Sequence, residues 1–274
     1  MNLKNHIEEI LGEPINSSPT TSGIIRTPSG KEYYLKVGTR SRTFQCEANG
    51  LREIANADVI RTPEVMAVTD YFIMTEYISG DAPMPDFFSF FGEQLARLHR
   101  TEAPEYGFYE DNYIGRSPQP NIPKGEEVTD WVAFYFNKRL LFQYKMAERN
   151  GYVTPTLRAG FKRVEQTIEP LLRESCEKPC LLHGDLWSGN YICDVEAVLI
   201  DPAVYYGHRE ADLAMTKLFG GFSPDFYKSY QSAYPLKPGW QQREKAYLLY
   251  HLLNHLNIFG RGYLAETEEV ISMF

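Results

Sequence analysis

Three polar side chains stand where two short apolar segments end. Asp185 follows the apolar pair 181–182, and Asn190 lies five positions further along the same polar turn. Asp201 ends the next apolar run, 198–200. Phosphoryl transfer needs a carboxylate that orients a hydroxyl and accepts its proton, and an amide and a second carboxylate that hold magnesium ions. The spacing therefore predicts a phosphoryl-transfer site on a strand–loop–strand unit.

The triplet from His183 to Asp185 would mean little by itself, because glycine and aspartate are common in ordinary turns. Asn190 and Asp201 make it informative, since Asp-x4-Asn is the spacing of a kinase catalytic loop and the later acid takes the metal-binding place. We therefore predict that Asp185 is the catalytic carboxylate and that Asn190 and Asp201 hold Mg²⁺.

The stretch from His183 to Asn190 resembles the catalytic loop of the fructosamine kinase family, also called ketosamine-3-kinases, within the wider aminoglycoside phosphotransferase and choline kinase group. Residues 107–115, 118–121 and 201–214 also resemble this family, and the similarity runs from about Gly23 to the end. The His-Gly-Asp-x4-Asn pattern is shared across the wider group. Residues 187–189 and the outlying stretches are more specific to ketosamine kinases. The resemblance implies an α+β, bilobal protein-kinase-like fold.

Length and composition allow one large domain or two lobes, since the chain has 274 residues and is 43% hydrophobic. We expect a small N-terminal antiparallel sheet lobe at 1–79 and a larger, mainly helical C-terminal lobe at 80–274. The net charge of −8 and the lack of a Lys/Arg run argue against a nucleic-acid partner. The N-terminus lacks the apolar core of a signal peptide, and no run of about 18 apolar residues occurs, which predicts a cytoplasmic protein without a membrane partner. The oligomeric state is left open by the sequence.

Hydrophobic periodicity predicts a β-rich N-terminal part. The expected elements are a short helix at 2–11, a hairpin of strands at 24–27 and 31–37, and two more strands at 63–68 and 71–75.

A lysine and a glutamate in this part are expected to pair. Lys36 ends what we take as the third strand, where a kinase lysine contacts the α- and β-phosphates of ATP. A helical pattern begins at Thr43, and Glu47 on it resembles the acid of the family's Glu-Ala-x-Gly-Leu stretch. We therefore predict a Lys36–Glu47 ion pair, and we assign Glu53 to a solvated face.

Residues 17–23 occupy the position of the loop that covers the ATP phosphates in a kinase-like lobe. Their side chains are small, but only Gly23 is a glycine, whereas the family usually carries a glycine run. An ordinary hairpin loop is the alternative. The resemblance places the hinge between lobes at 76–78, where the backbone of Glu76 and Ile78 would bind adenine.

The C-terminal part is predicted to be mainly helical, with His99 closing the first helix as a structural residue. The expected helices cover about 87–98, 131–150, 156–175, 211–219, 226–233 and 242–258. His251 and His255 share a helix face, but no carboxylate completes a metal-binding pattern, which favours two core histidines.

Residues 104–127 are rich in Pro, Gly, Asn and Tyr and are expected to form a long loop, which is uncommon in a compact domain and often functional. Asp111, Asn112 and Tyr113 combine polar groups with an aromatic ring, as a sugar-binding surface would. A packed connection over the C-terminal lobe is the alternative. Trp187 can stack on the substrate or pack its own loop.

His183 and Asp212 are expected to support the catalytic loop. Asp212 would accept hydrogen bonds from backbone N–H groups of that loop. The alternative is an acid that is favoured at a helix N-terminus by the helix dipole.

The resemblance implies an ATP- and Mg²⁺-dependent kinase that phosphorylates the 3-hydroxyl of a ketosamine, on a small molecule or on a glycated amino acid or protein, and so promotes deglycation. One alternative is another small-molecule kinase, acting on an aminoglycoside, choline or another sugar. A more distant alternative is a non-catalytic nucleotide-binding protein.

Overall fold

The computed structural model of the chain describes residues 3–16 and 19–274. Helix α1 (Leu3–Leu11) precedes an antiparallel sheet, and helix α2 (Thr43–Asn56) follows its first two strands. The strands are β1 (Gly23–Arg26), β2 (Glu32–Val37), β3 (Val65–Val68) and β4 (Phe72–Glu76), in the spatial order β1-β2-β4-β3. The N-terminal part is thus a small antiparallel sheet between two helices.

Side chains alternate between the two faces of β2, and this alternation decides what each face contacts. Tyr33 and Leu35 are buried in one cluster with Ile7 of α1. Lys36 belongs to the opposite face, where Leu51 of α2 packs on Ile73 of β4. The lysine therefore lies on the side of the sheet that carries α2.

One detail of this part differs from the sequence prediction. Lys36 lies on the second strand, not the third, because Ile15 joins the α1 cluster and the segment around it forms no strand. Helix α2 begins at Thr43 as expected, where the backbone N–H donates to the hydroxyl of Ser41 (3.1 Å).

The rest of the chain is mostly helical. Its helices are α3 (Phe87–Leu98), α4 (Trp131–Tyr135), α5 (Phe142–Arg149), α6 (Pro155–Leu172), α7 (Glu210–Leu218), α8 (Pro224–Ala233), α9 (Trp240–Phe259) and α10 (Leu264–Ser272). A π-helical turn, Phe136–Leu141, joins α4 to α5, so the predicted helix at 131–150 is continuous but not uniformly α-helical.

Three antiparallel strand pairs carry the loops of the helical part. They are β5 (Asn112–Ile114) with β6 (Ser117–Gln119), β7 (Cys180–Leu182) with β10 (Tyr205–Gly207), and β8 (Tyr191–Cys193) with β9 (Ala197–Leu199). The β5–β6 hairpin corrects the prediction of a structureless loop at 104–127. Asn112, Ser117 and Gln119 are buried in this hairpin, whereas Arg116 in its turn is exposed.

Polar contacts join α2 and the end of β4 to the helical part. Glu110 accepts hydrogen bonds from Asn49 (2.8 Å) and Arg42 (3.0 Å) of the α2 region. Arg61 contacts both Glu76 and Asp194, and so ties β4 to the turn between β8 and β9. The sheet part is therefore joined to the helical part at two places, at α2 and at the end of β4. The boundary between residues 79 and 80 stays a prediction.

Within the described residues, no helix combines the length and hydropathy that crossing a membrane requires.

Candidate active site

His183 braces the loop between β7 and β8. Its Nε2–H donates to the carbonyl oxygen of Ile200 (2.9 Å), and its Nδ1 accepts the backbone N–H of Asp185 (3.3 Å). Burial lowers the pKa of His183, so the ring is neutral and can accept and donate at once. The structure thus contains two hydrogen bonds through which His183 can support the loop, as predicted.

Asp212, in the first turn of α7, is the second brace of the loop. Its carboxylate accepts the backbone N–H groups of His183 (2.7 Å) and Gly184 (2.8 Å), and it lies 3.3 Å from Nε2 of His99. Burial by itself would raise the pKa of Asp212, but these hydrogen bonds lower it overall. The predicted hydrogen bonds to the loop are present, and His99 is an internal residue between Asp212 and Tyr230.

Gly184 lets the catalytic loop approach the segment after Asp201. Its φ of +84° is the left-handed conformation, and a Cβ there would lie 2.0 Å from the carbonyl oxygen of Ala203. Next to it, the N–H of Ala203 donates to the carbonyl of His183 (2.8 Å). The two segments are thus in backbone contact, and Asp185 and Asp201 line the same cavity.

Asn190 fixes the carboxylate of Asp185. Its Nδ2 donates to the backbone carbonyl (2.7 Å) and to Oδ2 (3.2 Å) of Asp185. The amide oxygen of Asn190 remains as the end of the side chain that can coordinate a cation. Burial raises the pKa of Asp185 to about 7, although the bond from Asn190 opposes the shift. A carboxyl with a pKa near neutrality suits proton acceptance.

Lys36 joins the sheet to Asp201, the acid predicted to bind metal. Its Nζ donates to Oε1 of Glu47 (2.7 Å) and contacts Oδ1 of Asp201. Burial alone would lower the pKa of Lys36, but the two carboxylates raise it overall, so the amine is charged. The predicted Lys36–Glu47 ion pair is present. Glu53, predicted to be solvated, instead accepts a hydrogen bond from Tyr206 (2.8 Å).

A cavity of about 190 Å³ lies between the sheet and the helical part. Its lining includes Lys36, Glu47, Leu51, Ile73, Glu76, Ile78, Ile192, Ile200 and Asp201. The aliphatic side chains come from the sheet part and from the helical part and form an apolar slot, which Lys36, Glu47, Glu76 and Asp201 also line. A planar base flanked by phosphates has this distribution of chemistry.

The backbone at the predicted hinge is already partly used. The N–H of Glu76 donates to the carbonyl of Glu64 (2.8 Å), so this N–H is not available to adenine. Adenine binding by the Glu76 carbonyl and by the backbone of Ile78 stays a prediction. Gly23 begins β1 opposite Leu35 and, within the described part of the chain, is outside the set of residues lining the slot. Ser17 and Ser18 of the predicted phosphate loop lie outside the described residues. The phosphate contact of Gly23 stays a prediction.

A second cavity, of about 510 Å³, adjoins Asp185 on the other side of Asp201. Much of its wall is aromatic: Trp187, Phe219, His255, Phe259 and Tyr263 line it, with Phe259 62% exposed. His255 contacts the rings of Phe219, Phe259 and Tyr263 at centroid distances of 5.0–5.5 Å. The core assignment of His255 is therefore wrong, whereas His251 is buried as predicted.

The four residues predicted to contact the phosphoryl acceptor lie in different environments. Asn112 is buried, with its amide bonded inside the protein, so its side chain is not a sugar-binding group, which corrects that prediction. Asp111 accepts the backbone N–H groups of Asn121 and Ile122 and fixes a turn. Tyr113 lines a depression beside Lys36, Glu47 and Asp201. The Trp187 ring covers Gly189 and also lines the aromatic cavity, so it packs its loop and remains accessible.

The site thus combines a braced carboxylate, an amide, a second carboxylate and a paired lysine between two cavities. The family model for fructosamine kinase matches residues 4–274. The chain belongs to the fructosamine kinase family. It is a kinase, an ATP-using enzyme that transfers a phosphoryl group to a hydroxyl.

This fructosamine kinase matches its relatives over most of their length. A "Probable ketoamine kinase" from Vibrio parahaemolyticus is 37% identical over 253 residues, which is 88% of this chain and 84% of the relative. A chloroplastic protein-ribulosamine 3-kinase from Oryza sativa subsp. indica is 36% identical, covering 97% of this chain and 77% of the relative.

Solved structures agree with the predicted fold class. The crystal structure of a "putative fructosamine-3-kinase" from Thermobifida fusca superposes with a TM-score of 0.88 and 29% identity, over 99% of this chain and 97% of that one. An aminoglycoside phosphotransferase solved with streptomycin and ATP has a TM-score of 0.62 at 15% identity, covering 98% and 95%, and shares the fold. The bilobal, protein-kinase-like α+β fold is confirmed.

Replacing Lys36 by methionine in this kinase is expected to lower kcat/KM for ATP by about a hundred-fold, because the positive charge predicted to contact the phosphates is lost. Steady-state kinetics at saturating acceptor measure the effect. Lys31→Met, just before β2, is the matched control, since Lys31 is 63% exposed and pairs only loosely with Glu13 (3.5 Å). A Lys36→Met enzyme that matches the control would contradict the assignment.

Proposed function

We propose that this kinase transfers the γ-phosphoryl group of ATP to the 3-hydroxyl of a ketosamine. The observation that carries the proposal is the position of Asp185, which lines the aromatic cavity together with Asn190 and Asp201. An acceptor in that cavity has its hydroxyl beside a proton-accepting carboxylate and beside the groups assigned to the phosphates. The names of the relatives, ketoamine kinase and ribulosamine 3-kinase, support the choice of acceptor.

Each residue of the site has a task in this reaction. Asp185 orients the attacking hydroxyl and takes its proton, which its pKa of about 7 allows near neutral pH. Lys36, held by Glu47, binds the α- and β-phosphates. The carbonyl of Glu76 and the N–H of Ile78 bind the edge of adenine, and Gly23 permits the phosphates to approach the start of β1.

The donor set fits magnesium. Asn190 and Asp201 offer an amide oxygen and a carboxylate, the hard oxygen ligands that Mg²⁺ prefers, and Mg²⁺ commonly takes few protein ligands because phosphates and water complete its shell. When bound, the ion neutralises charge on the phosphates. In residues 3–16 and 19–274 no cluster of three His, Cys, Asp or Glu side chains has metal-binding geometry. The two-residue site does not depend on such a cluster.

The aromatic cavity suits a ketosamine in two respects. Sugar C–H faces stack on rings such as Trp187, and the protonated secondary amine at C1 is attracted to aromatic faces. The acidic residues that line the cavity, within the described part of the chain, are Asp185 and Asp201. Both are used in phosphoryl transfer, so no surplus of carboxylates is left for the several ammonium groups of an aminoglycoside.

The partner is accordingly a small ketosamine or a glycated amino acid or protein. The exposed position of Phe259 at the cavity leaves room for a bulky amine substituent. The cytoplasmic location expected from the sequence belongs to the same proposal.

Release of ADP over a panel of acceptors tests the function. We expect turnover with fructosyl-lysine or ribulosyl-lysine at least ten times that with choline or an aminoglycoside, with the new phosphate on O3 by ³¹P NMR. A glycated protein in the panel tests whether the enzyme also uses ketosamines that are attached to proteins. Preference for choline or for the aminoglycoside would overturn the ketosamine assignment while leaving the kinase assignment intact.

A further inference from the structure

Two buried side-chain amides bond the backbone just after Asp201. Gln119, at the end of β6, donates from Nε2 to the carbonyl of Ala203 (2.9 Å). Asn112, at the start of β5, donates from Nδ2 to the carbonyl of Val204 (2.8 Å). Gln119 is 1% exposed and Asn112 is 4% exposed. The β5–β6 hairpin therefore binds two successive carbonyls of the segment that carries the metal-binding acid.

The orientation of both amides is fixed by further hydrogen bonds. Oδ1 of Asn112 accepts from Nε2 of Gln119 (2.9 Å) and from Nδ2 of Asn121 (2.7 Å). Oε1 of Gln119 accepts from the hydroxyl of Tyr250 (2.7 Å), and Oδ1 of Asn121 accepts from Nη2 of Arg139 (2.6 Å). Because each oxygen already has a donor, neither amide can turn its NH₂ group away from the carbonyls without breaking several bonds.

The segment from Asp201 to Val204 lies before β10 and outside the strands. Besides the bond from its Ala203 N–H to the carbonyl of His183 (2.8 Å), it is held by these two amides. Asp201 has a φ of +54°, an uncommon conformation for a residue other than glycine. Pro202 supplies no N–H. Backbone conformations of this kind persist only when the surroundings determine them.

We propose that Gln119 and Asn112 are positioning residues of the kinase reaction. They act through the backbone of Ala203 and Val204 and hold Asp201 where its carboxylate meets the phosphates, without touching the substrate themselves. The inference rests on the proposed role of Asp201. It assigns to the 104–127 segment the task of keeping this acid in place, where the sequence left a sugar-binding surface and a packed connection as alternatives.

Gln119→Met is the direct test, since methionine has nearly the same shape and no hydrogen-bonding amide. We expect kcat to fall about tenfold while KM for the acceptor changes less than about threefold, because the acid is displaced and the acceptor cavity is not. We also expect the amide of Ala203, read by hydrogen-exchange mass spectrometry without nucleotide or metal, to exchange about ten times faster.

Gln94→Met is the matched control. Gln94 is 2% exposed and also donates to a backbone carbonyl, that of Val59 (3.4 Å), but away from this site. Kinetics are normalised to the folded fraction from thermal denaturation. Wild-type kcat with wild-type exchange at Ala203 in Gln119→Met would overturn the proposal, as would equal kcat losses in both variants. If the wild-type enzyme phosphorylates no ketosamine, the proposed function fails, and exchange at Ala203 still decides the positioning role.

Discussion

Replacing Asp185 by asparagine is expected to lower kcat about a thousand-fold, because general base catalysis by a positioned group contributes factors of this order. In the proposed reaction this carboxylate takes the proton of the hydroxyl group bound in the aromatic cavity, and an amide cannot take a proton at neutral pH. The loop should keep its shape, since Asn190 also bonds the backbone carbonyl at position 185 (2.7 Å). ADP release at saturating substrates measures the loss.

Two further measurements separate chemistry from folding in this variant. The Tm and the binding of Mg-ADP should stay close to the wild-type values. Asp225→Asn serves as the control, because Asp225 is an exposed acid in the first turn of α8. Turnover by Asp185→Asn within tenfold of this control would remove Asp185 from the role of base.

The second large effect is expected at Asp212, where Asp212→Asn should lower the free energy of unfolding by about 3 kcal/mol. One carboxylate oxygen accepts from His183 and the other from Gly184. An asparagine replaces one acceptor by an NH₂ group, which then faces a buried N–H donor. The loop that carries Asp185 should shift, and kcat per folded molecule should fall at least about tenfold. Urea denaturation and kinetics on the same samples measure both losses.

The Asp225→Asn control also distinguishes two roles of Asp212: bracing the loop, or acting only on the helix dipole. If the acid acted only on the helix dipole, its loss would cost about 0.3–1 kcal/mol, as Asp225→Asn should. A similar small loss at both positions, with full activity, would favour the dipole interpretation and contradict the bracing role.

The parts of the site that the sequence predicted are those whose chemistry is local. Asp185 and Asn190 lie on one loop, and Asp201 ends the next strand, so spacing alone brings them together. Lys36 and Glu47 were found because a charged pair between a strand and the following helix is part of the kinase pattern. The hydrophobic alternation also located most strands and helices to within a few residues.

The parts that the sequence missed depend on contacts between distant segments. The composition of 104–127 left a sugar-binding surface and a packed connection as alternatives. Asn112 and Gln119 are internal because their partners are carbonyls more than eighty positions later. Likewise, the lack of a carboxylate that would complete a metal site favoured a core position for His255. Only the packing of α9 beside the loop that carries Asp185 exposes His255 to a cavity, and no local pattern carries that information.

The close approach at Gly184 has a consequence for how this enzyme tolerates mutation. Main chain lies directly against main chain there, with no side chain between the two loops. Peptide geometry at this contact therefore limits how closely the loops that carry Asp185 and Asp201 approach, while the amides of Gln119 and Asn112 hold the second of these loops by hydrogen bonds. Substitutions at other positions of these loops can change the affinity for substrates or the range of acceptors gradually. At position 184, any side chain larger than hydrogen forces the loops apart.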